Sequence, residues 1–410
     1  MNEHDPIIIV GGGQAAMQAV DSLRRDGYSG GLMMIGEEVY APYQRPPLSK
    51  QFLAGETDES RLAFRGEDFY REHGVEMHLG QRVSQLNTTT RRVVTDNGLD
   101  FGYSRLLLAT GARVRRLNLP GADLPGVHYV RTLDDSKGLR AALGAATKIV
   151  VIGGGFIGLE VAAVARKLGK AVTVVETQDR LLARVVAPVV SEYYRDYHRA
   201  HGVDIRLSAS VAGLRGSDRV TAVELGDGEV LAADIVVAGI GVLPNDELAR
   251  DAGIACDNGI LVDEYAVTSA PEVLAAGDCA SHPNAIYGYR LRLESVQNAA
   301  DQARTAAATM VGRSQPYVAV PWFWSDQYDL KLQMAGLSQR HDAFVVRGDP
   351  ASRKFAVCYF KDDALIAMDT INRPADHMIA RKVLADTAAR KRLTPAQAAD
   401  ETFNLKSLLG

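Results

Sequence analysis

Apolar residues near the start of the chain follow two different periods in turn. Ile7–Val10 are four consecutive apolar residues, which predict a short strand buried on both faces. Ala19 and Leu23 then belong to a helix face, and Gly27 is expected to end that helix. A second apolar run at Leu32–Ile35 predicts the next strand. The pattern therefore predicts a βαβ unit whose strands are parallel.

The same succession of periods occurs again later in the chain. Ile149–Ile152 predicts a buried strand, helical spacing runs from Ile157 to Gly169, and Val172–Val175 predicts the following strand. This repetition indicates a loose internal duplication. Each copy is closed by an apolar stretch that breaks into small residues. The closing stretches are Leu106–Arg115 and Ile235–Asn245.

Between strand and helix, each copy has small residues at the spacing of a dinucleotide-binding turn. The first allows the tight turn, the second lets a pyrophosphate approach the backbone, and the third lets helix pack on strand. One such match would often be an ordinary turn, but two in the correct strand–turn–helix context are improbable by chance. The residues are Gly11, Gly13 and Ala16 in the first copy and Gly153, Gly155 and Gly158 in the second.

A glutamate follows the second strand of each copy, Glu37 in the first and Glu176 in the second. A carboxylate there can accept hydrogen bonds from a ribose and repel a 2′-phosphate, so Glu176 predicts a preference for NADH over NADPH. Arg180 lies four residues further on and could instead bind that phosphate. Two loops imply two dinucleotides, and a protein that holds two redox dinucleotides is predicted to pass a hydride between them.

Composition narrows the class of protein. The chain has 410 residues, 47% of them hydrophobic and 23% charged, which fits a globular enzyme of two or three domains. A formal net charge of -4 gives no field that would gather nucleic acid. The chain starts without a secretory signal and has no apolar stretch long enough for a bilayer, so we expect a cytoplasmic protein that binds no membrane.

The three cysteines, Cys256, Cys279 and Cys358, lie far apart in the sequence. They form neither a CxxC pair nor a metal-ligand spacing, so no metal site is expected and the thiols are interpreted as small buried residues. A disulfide relay is therefore not predicted.

Several segments of this sequence resemble the FAD-containing, NADH-dependent ferredoxin reductases of bacterial oxygenase systems. The resemblance covers nearly the whole chain. PYQRPPLSK and PWFWSDQY are the most specific of the segments, whereas either glycine loop alone would fit any flavoprotein with two dinucleotides. The segments are PYQRPPLSK (42–50), LLLATGA (106–112), VVETQDRLLARVV (174–186), AAGDCA (275–280), ESVQNA (294–299) and PWFWSDQY (321–328).

The resemblance implies an α/β fold with two Rossmann-like dinucleotide-binding domains, as in glutathione reductase, plus a small α+β C-terminal domain. The FAD domain would comprise 1–112 and 246–322, interrupted by an NADH domain at 113–245. The C-terminal domain, 323–410, would cover the flavin. One loop would then keep a resident, non-covalent FAD and the other would dock a visiting NADH.

The resemblance also implies site residues. Asp278 would bind the ribityl chain, although it could also be a helix N-cap. Arg45 and Lys50 could instead be solvated cations, and Val83 and Val296 ordinary core residues. The implied FAD contacts are Gly11, Gly13, Ala15, Ala16, Glu37, Arg45, Lys50, Val83, Thr110, Gly111, Arg131, Asp278 and Val296. The implied contacts in the NADH unit are Gly153, Gly155, Ile157, Gly158, Glu160, Glu176 and Gly241.

Three residues are implied to assist electron transfer. Glu160, expected in the first turn of its helix, would meet the nicotinamide carboxamide and pair with Lys50, so that the pair positions the nicotinamide. Trp324 would lie beside the flavin ring or, alternatively, in an aromatic core. The implied acceptor is a two-iron two-sulfur ferredoxin, with rubredoxin as an alternative. Candidate cations for steering an acidic partner are Arg313, Lys331, Arg340 and Arg347.

Two other classes of protein are also compatible with the nucleotide loops. One is a disulfide or peroxide reductase on the same frame, which would need a redox cysteine near residues 37–50, where this sequence has none. The other is an apoptosis-inducing-factor-like flavoprotein that is not primarily an enzyme.

Overall fold

The structure is a computed structural model that describes residues 5–409. The chain divides into two compact units, each assembled from separate stretches of sequence. Unit 1 comprises the described residues up to Gln44 together with Glu59–Arg113 and Leu243–Pro321. Unit 2 comprises Arg45–Asp58, Val114–Val242 and the described residues from Trp322 onwards. The assignment of each predicted domain to a cofactor stays a prediction.

Unit 1 is built on a five-stranded parallel sheet. The side chains of Ile7 and Ile9 enter one apolar core, and those of Ile8 and Val10 enter another. Burial on both faces explains why the strands are continuous apolar runs. In spatial order the strands are β19 (Val273–Ala275), β7 (Arg105–Leu108), β1 (Ile7–Val10), β2 (Leu32–Gly36) and β3 (Val75–Leu79).

Helices and two smaller sheets complete unit 1. The helices are α1 (Gln14–Arg25), α2 (Glu67–Glu72), α6 (Glu247–Asp251) and α7 (Val296–Met310), with a 3-10 turn at Glu59–Arg61. The smaller sheets comprise β4 (Val83–Asn87), β5 (Arg92–Thr95) and β6 (Asp100–Gly102), and β18 (Ile260–Leu261), β20 (Ala280–Asn284) and β21 (Tyr289–Leu291). Helices α1 and α7 pack against each other through alanines such as Ala19, Ala303 and Ala307.

Unit 2 contains a second five-stranded parallel sheet with the same connection of strand, glycine turn and helix. Its strands, in spatial order, are β12 (Val203–Arg206), β11 (Ala171–Val175), β10 (Lys148–Ile152), β16 (Ile235–Ala238) and β9 (Val127–His128). Its helices are α3 (Leu133–Ala145), α4 (Phe156–Lys167) and α5 (Pro188–Ala200). An antiparallel sheet of β13 (Val211–Arg215), β14 (Ala222–Leu225) and β15 (Val230–Ala232) packs beside it.

The C-terminal part of unit 2 is a five-stranded antiparallel sheet followed by helices. Its strands, in spatial order, are β22 (Trp322–Gln327), β23 (Leu330–Gly336), β26 (Ala364–Ile371), β25 (Lys354–Lys361) and β24 (Ala343–Asp349). The helices are α8 (Pro374–Ala385), α9 (Thr387–Arg392) and α10 (Pro395–Ala399). Unit 2 also has short 3-10 turns at Pro46–Ser49, Pro350–Ser352 and Leu405–Leu409. Two short strands, β8 (Ala112–Val114) and β17 (Val242–Pro244), lie where the sequence passes from one unit to the other.

These features confirm the predicted α/β class, with two parallel nucleotide-type sheets and a smaller α+β portion. The predicted helix ends are also confirmed, because Gly27 and Gly169 follow α1 and α4 with φ angles of 88° and 77°. None of the helices among the described residues has the length and hydropathy that a bilayer crossing requires.

Candidate functional site

The first glycine loop, in unit 1, is held in a conformation that only glycine adopts easily. Gly11 has a φ of 128°, and a Cβ atom there would lie 2.1 Å from the carbonyl oxygen of Ala109. Gly13 is the N-cap of α1 and a Cβ added there would meet open space. Ala15 and Ala16 are buried at the start of the helix. Gly13 has no side chain to cap the first amides of α1, and uncapped amides at a helix N-terminus are suited to bind a pyrophosphate.

Three other predicted residues of unit 1, Glu37, Thr110 and Gly111, lie on loops that follow its strands, whereas Val83 begins a strand. Glu37 is exposed directly after β2, and Val83 is buried at the start of β4. Thr110 donates its hydroxyl to the carbonyl of Asn245 at 2.6 Å, and the amide of Asn245 donates to Gly111 at 2.9 Å. Thr110 and Gly111 thus connect the end of β7 to a distant stretch of chain.

Asp278 lies in the turn before β20, and the alternative that it caps a helix is wrong. The N-cap of α7 is Ser295, whose hydroxyl accepts from the amide of Asn298. The turn around Asp278 is instead held by the neighbouring Gly277, whose amide donates to Gln302 at 2.8 Å. Val296 is the first residue of α7 and is only half-buried.

The second glycine loop, in unit 2, repeats the geometry of the first. Gly153 has a φ of 108°, and a Cβ there would lie 2.4 Å from the carbonyl oxygen of Gly239. Gly155 is the N-cap of α4, again without a side-chain cap and with open space above it. A Cβ at Gly158 would lie 2.1 Å from the oxygen of Gly153, which explains the third glycine. Ile157 remains 40% exposed beside the open helix end.

The carboxylate of Glu176 reaches back to this loop. Its Oε2 accepts from the amide of Gly154 at 2.6 Å and its Oε1 accepts from the amide of Gln178 at 2.8 Å. Glu176 therefore stands at the place where a ribose would approach the second glycine loop. Gly241, with a φ of 103°, lies in the loop that follows β16.

The side chain of Arg180 forms hydrogen bonds with the segment that follows it in the sequence. Its Nη1 donates to the carbonyl of Val186 at 2.7 Å and to the hydroxyl of Ser191 at 2.9 Å. Its Nη2 donates to the carbonyl of Ala183 at 2.5 Å. These contacts occupy both terminal nitrogens, and this disfavours the alternative in which Arg180 binds a 2′-phosphate.

Lys50 and Glu160 form a buried ion pair inside unit 2. The Nζ of Lys50 lies 2.7 Å from Oε2 of Glu160, whose side chain is 1% exposed. Ser49 donates to the same oxygen at 2.6 Å, and Ser325 donates to Oε1 at 2.6 Å. Glu160 is the fifth residue of α4, so the expectation that it lies in the first helical turn is wrong.

Sequence reasoning missed both serines as partners of Glu160. Each lies in a segment that carried the family resemblance, Ser49 beside Lys50 and Ser325 beside Trp324. Their signal is a hydroxyl next to a predicted site residue, but a serine alone does not reveal a carboxylate more than a hundred residues away.

Arg45 and Arg131 are brought together although 86 residues separate them in the sequence. The Nη1 of Arg45 donates to the backbone carbonyl of Arg131 at 2.7 Å. Arg131 precedes a capping box at the start of α3, in which Thr132 and Asp135 bond reciprocally. Both arginine side chains stay partly exposed.

Trp324 belongs to an aromatic cluster on β22. Its ring centroid lies 5.6 Å from that of Trp322 and 6.3 Å from that of Phe323. Phe323 in turn packs on Phe156, the first residue of α4, at 4.7 Å. Trp324 is half-buried.

The prediction that Arg347 could steer an acidic partner is wrong. Arg347 is 4% exposed, and its guanidinium donates to four backbone carbonyls near the C-terminus, those of Ala398, Asp400, Glu401 and Phe403. Its charge is thus used inside the C-terminal part of unit 2. Arg313, Lys331 and Arg340 are exposed.

The three cysteines are all free, and Cys279 and Cys358 are buried. Burial raises the pKa of the Cys256 thiol to about 11 and that of the Cys358 thiol to about 12, and it also raises the pKa of Cys279. A thiol needs to ionise before it attacks a disulfide, so none of them is suited to a redox relay.

The residues at both loops fit dinucleotides. Each loop presents an uncapped helix N-terminus below a glycine with open space, and each is followed by a glutamate at the end of the next strand. FAD and NADH are the pair that the sequence resemblance implies for these two positions.

Comparison with known proteins gives two family matches. Residues 5–303 match the family described as pyridine nucleotide-disulphide oxidoreductase, and residues 322–409 match the family described as reductase C-terminal. Rhodocoxin reductase of Rhodococcus erythropolis is 47% identical over 98% of this chain and 93% of that protein.

Two solved structures are similar over nearly all of their length. The ferredoxin reductase for the CYP199A2 system from Rhodopseudomonas palustris has a TM-score of 0.96 and 43% identity, over 99% of this chain and 100% of that one. Putidaredoxin reductase in its covalent complex with putidaredoxin has a TM-score of 0.95 and 41% identity, over 100% of this chain and 99% of that one.

Proposed function

The chain belongs to the pyridine nucleotide-disulphide oxidoreductase family, and from this premise we propose that it carries electrons from NADH through FAD to a small iron–sulfur protein. The acceptor is a two-iron two-sulfur ferredoxin that serves a haem monooxygenase or an aromatic-ring dioxygenase. The names of the similar proteins, which are reductases for ferredoxin-type carriers, support this acceptor.

The buried pair of Lys50 and Glu160 carries the proposal. Glu160 lies on the helix that begins at the second glycine loop, and Lys50 follows the 3-10 turn at Pro46–Ser49. Together they supply a fixed cation and carboxylate where a bound nicotinamide would extend. The carboxylate of Glu160 can accept a hydrogen bond from the nicotinamide carboxamide, while Lys50 keeps that carboxylate in place. When bound, FAD accepts two electrons and releases them one at a time, which nicotinamide cannot do.

The state of the thiols supports an acceptor other than a disulfide. Cys256, Cys279 and Cys358 are free, distant in sequence and raised in pKa. Electrons therefore leave without a cysteine relay, and an external carrier has to take them. Trp324, which is half-buried on β22, is the side chain we assign to the flavin edge.

Stopped-flow mixing of the NADH-reduced protein with a panel of carriers tests the proposal. We expect two-iron two-sulfur ferredoxins to be reduced rapidly and this reaction to slow as ionic strength rises, because docking involves opposite charges. Ferricyanide, which needs no docking, is the control and should respond less to salt. Exclusive reduction of rubredoxin would transfer the assignment to that carrier, and rapid reduction of disulfides or peroxide alone would overturn it.

We further propose that the chain works in the cytoplasm, where NADH is generated. Fractionation of cells that express the natural protein tests the location, and recovery with the periplasmic fraction would contradict it.

A further inference from the structure

The carboxylate of Glu160 is the end of a chain of buried hydrogen bonds that the proposed function does not use. Ser325 lies 2.6 Å from Oε1 of Glu160, and Nε2 of Gln327 lies 3.1 Å from the hydroxyl of Ser325. The Nε2 of His198 lies 2.8 Å from Oε1 of Gln327. Ser325, Gln327 and His198 are each at most 2% exposed.

Three elements of unit 2 supply this chain. Ser325 and Gln327 are two residues apart on β22 and therefore point to the same face of the strand. Glu160 comes from α4 and His198 from α5. The carboxylate is thus held from both sides, by Ser325 on one oxygen and by Ser49 and Lys50 on the other.

The carboxylate dictates the direction of every hydrogen bond in the chain. A carboxylate only accepts, so the single hydroxyl proton of Ser325 points to Glu160. Ser325 must then accept from the amide nitrogen of Gln327, and the amide oxygen of Gln327 is left to accept from His198. The Nε2 of His198 therefore carries a proton.

The surroundings of His198 agree with this tautomer. Burial lowers the pKa of His198 to about 4, so the ring is neutral at neutral pH. Its Nδ1 then carries a lone pair, and the hydroxyl of Tyr328 lies 3.4 Å from it. Tyr328 occupies the turn between β22 and β23 with a φ of 55°.

We infer that Ser325, Gln327 and His198 are positioning residues, which orient the carboxylate of Glu160 toward the nicotinamide carboxamide. The inference rests on the proposed function for the identity of the group that Glu160 meets. The three residues touch neither NADH nor FAD in this assignment and act only through Glu160. Ser325 fixes the plane of the carboxylate, and Gln327 and His198 keep the hydroxyl proton of Ser325 directed at it.

Replacement of Ser325 by alanine tests the inference in the holoenzyme. We expect Ser325→Ala to lower the rate constant for flavin reduction by NADH about tenfold, because a hydrogen bond to a charged group is lost at the positioning carboxylate. The dissociation constant of NAD+, measured by titration, should rise less than about threefold, since the glycine loop remains intact. Ser338→Ala is the matched control, because it removes a buried hydroxyl that donates to the carbonyl of Val185 elsewhere in unit 2.

A double-mutant cycle separates positioning from general destabilisation. In the Glu160→Gln background, Ser325→Ala should change the rate constant less than about twofold, because its partner has already lost the charge. Full additivity of the two changes, or equal losses in Ser325→Ala and Ser338→Ala, would overturn the inference.

Nitrogen NMR of the histidine-labelled holoenzyme reads the hydrogen-bond order without any turnover. We expect His198 to be neutral with the proton on Nε2 in the wild type, and a proton on Nδ1 instead would refute the chain of donors. This readout remains interpretable if NADH proves not to be the reductant, so failure of the inference and failure of the proposed function can be told apart.

Discussion

The two glycine loops share a backbone geometry, and the helices that they start carry different side chains at a buried position. In both, the first glycine lies against the carbonyl oxygen of the residue that follows the closing strand, and the second glycine is the N-cap of a twelve-residue helix and makes no side-chain cap. Five residues after the second glycine, the first loop has Gln18 and the second has Glu160. The two loops thus place an amide on one helix and a carboxylate on the other at equivalent positions.

The surroundings of these equivalent positions explain the difference. Gln18 donates to the hydroxyl of Ser22 at 3.1 Å and accepts from Arg304 at 3.2 Å, so its amide is used in packing α1. Glu160 instead binds Lys50 and two serines. A resident cofactor needs a loop that holds it, whereas a visiting one also needs a group that places its reactive ring.

A further duplicated feature is purely structural. Arg24 near the end of α1 donates to the carbonyl of His73 at 2.7 Å, and Arg166 near the end of α4 donates to the carbonyl of His201 at 2.8 Å. Each carbonyl belongs to the residue that ends or follows the next helix of its unit. In each unit, the arginine therefore ties the end of the first helix to the end of the next one. The sequences of the glycine loops do not indicate this contact.

The largest expected effect is on the shared backbone. Gly153→Ala should lower the free energy of unfolding by about 2–4 kcal/mol, because it adds a left-handed backbone penalty to a clash with the oxygen of Gly239. Gly155→Ala, where a Cβ meets open space, should change that energy by less than about 0.5 kcal/mol yet weaken NAD+ binding about tenfold or more. Urea unfolding measures the stability of the two variants, and NAD+ titration measures their affinity for the coenzyme. Equal unfolding midpoints of Gly153→Ala and Gly155→Ala would contradict the assigned roles.

The carboxylate of Glu160 should control the rate of flavin reduction. Glu160→Gln should lower the rate of flavin reduction by NADH about 100-fold, because the carboxamide loses its positioning group and Lys50 loses its counter-charge. FAD content, read from the absorbance spectrum, should stay unchanged. Gln18→Glu is the reciprocal control and should leave the rate within about twofold; a comparable loss there would erase the distinction between the loops.

Coenzyme choice sharpens the comparison further. Glu176→Ala should reduce the ratio of kcat/KM for NADH over NADPH about tenfold, because a charge-assisted hydrogen bond to the ribose is lost together with repulsion of the 2′-phosphate. Arg180→Met should leave the ratio unchanged, since the guanidinium is engaged by Val186, Ser191 and Ala183. A shift of the ratio in Arg180→Met would show that Arg180 reads the coenzyme after all.

The smallest expected effect comes from removing the arginine–carbonyl contacts that the two units share. Arg24→Met and Arg166→Met should each cost about 1–2 kcal/mol of unfolding free energy, because each leaves backbone carbonyls without a donor. Urea unfolding at pH 7 measures the two losses. If only one of the two variants lost unfolding free energy, the contact would not be a shared stabilising feature of the two units.

Much of the fold could be predicted because its signals are local. A continuous apolar run marks a strand covered on both faces, and Gly11 and Gly153 mark turns that other residues enter only with strain. The pairing of Lys50 with Glu160 was predicted only through resemblance to a family, since 110 residues separate them and no periodicity connects them. The N-cap alternative for Asp278 and the surface placement of Arg347 were wrong because both depended on which distant segments pack nearby.

The amino-acid sequence alone determined the two nucleotide units, their glycine turns and the glutamate after each second strand. Turn geometry and the alternation of strand and helix depend on residues that are neighbours in the sequence. Packing decided which side chains meet across long separations. Ser325 reaches Glu160 across 165 residues, and the guanidinium of Arg180 donates to two carbonyls and a hydroxyl that no motif identifies. A hydroxyl or a guanidinium has many potential partners, and only the folded backbone brings one of them within 3 Å.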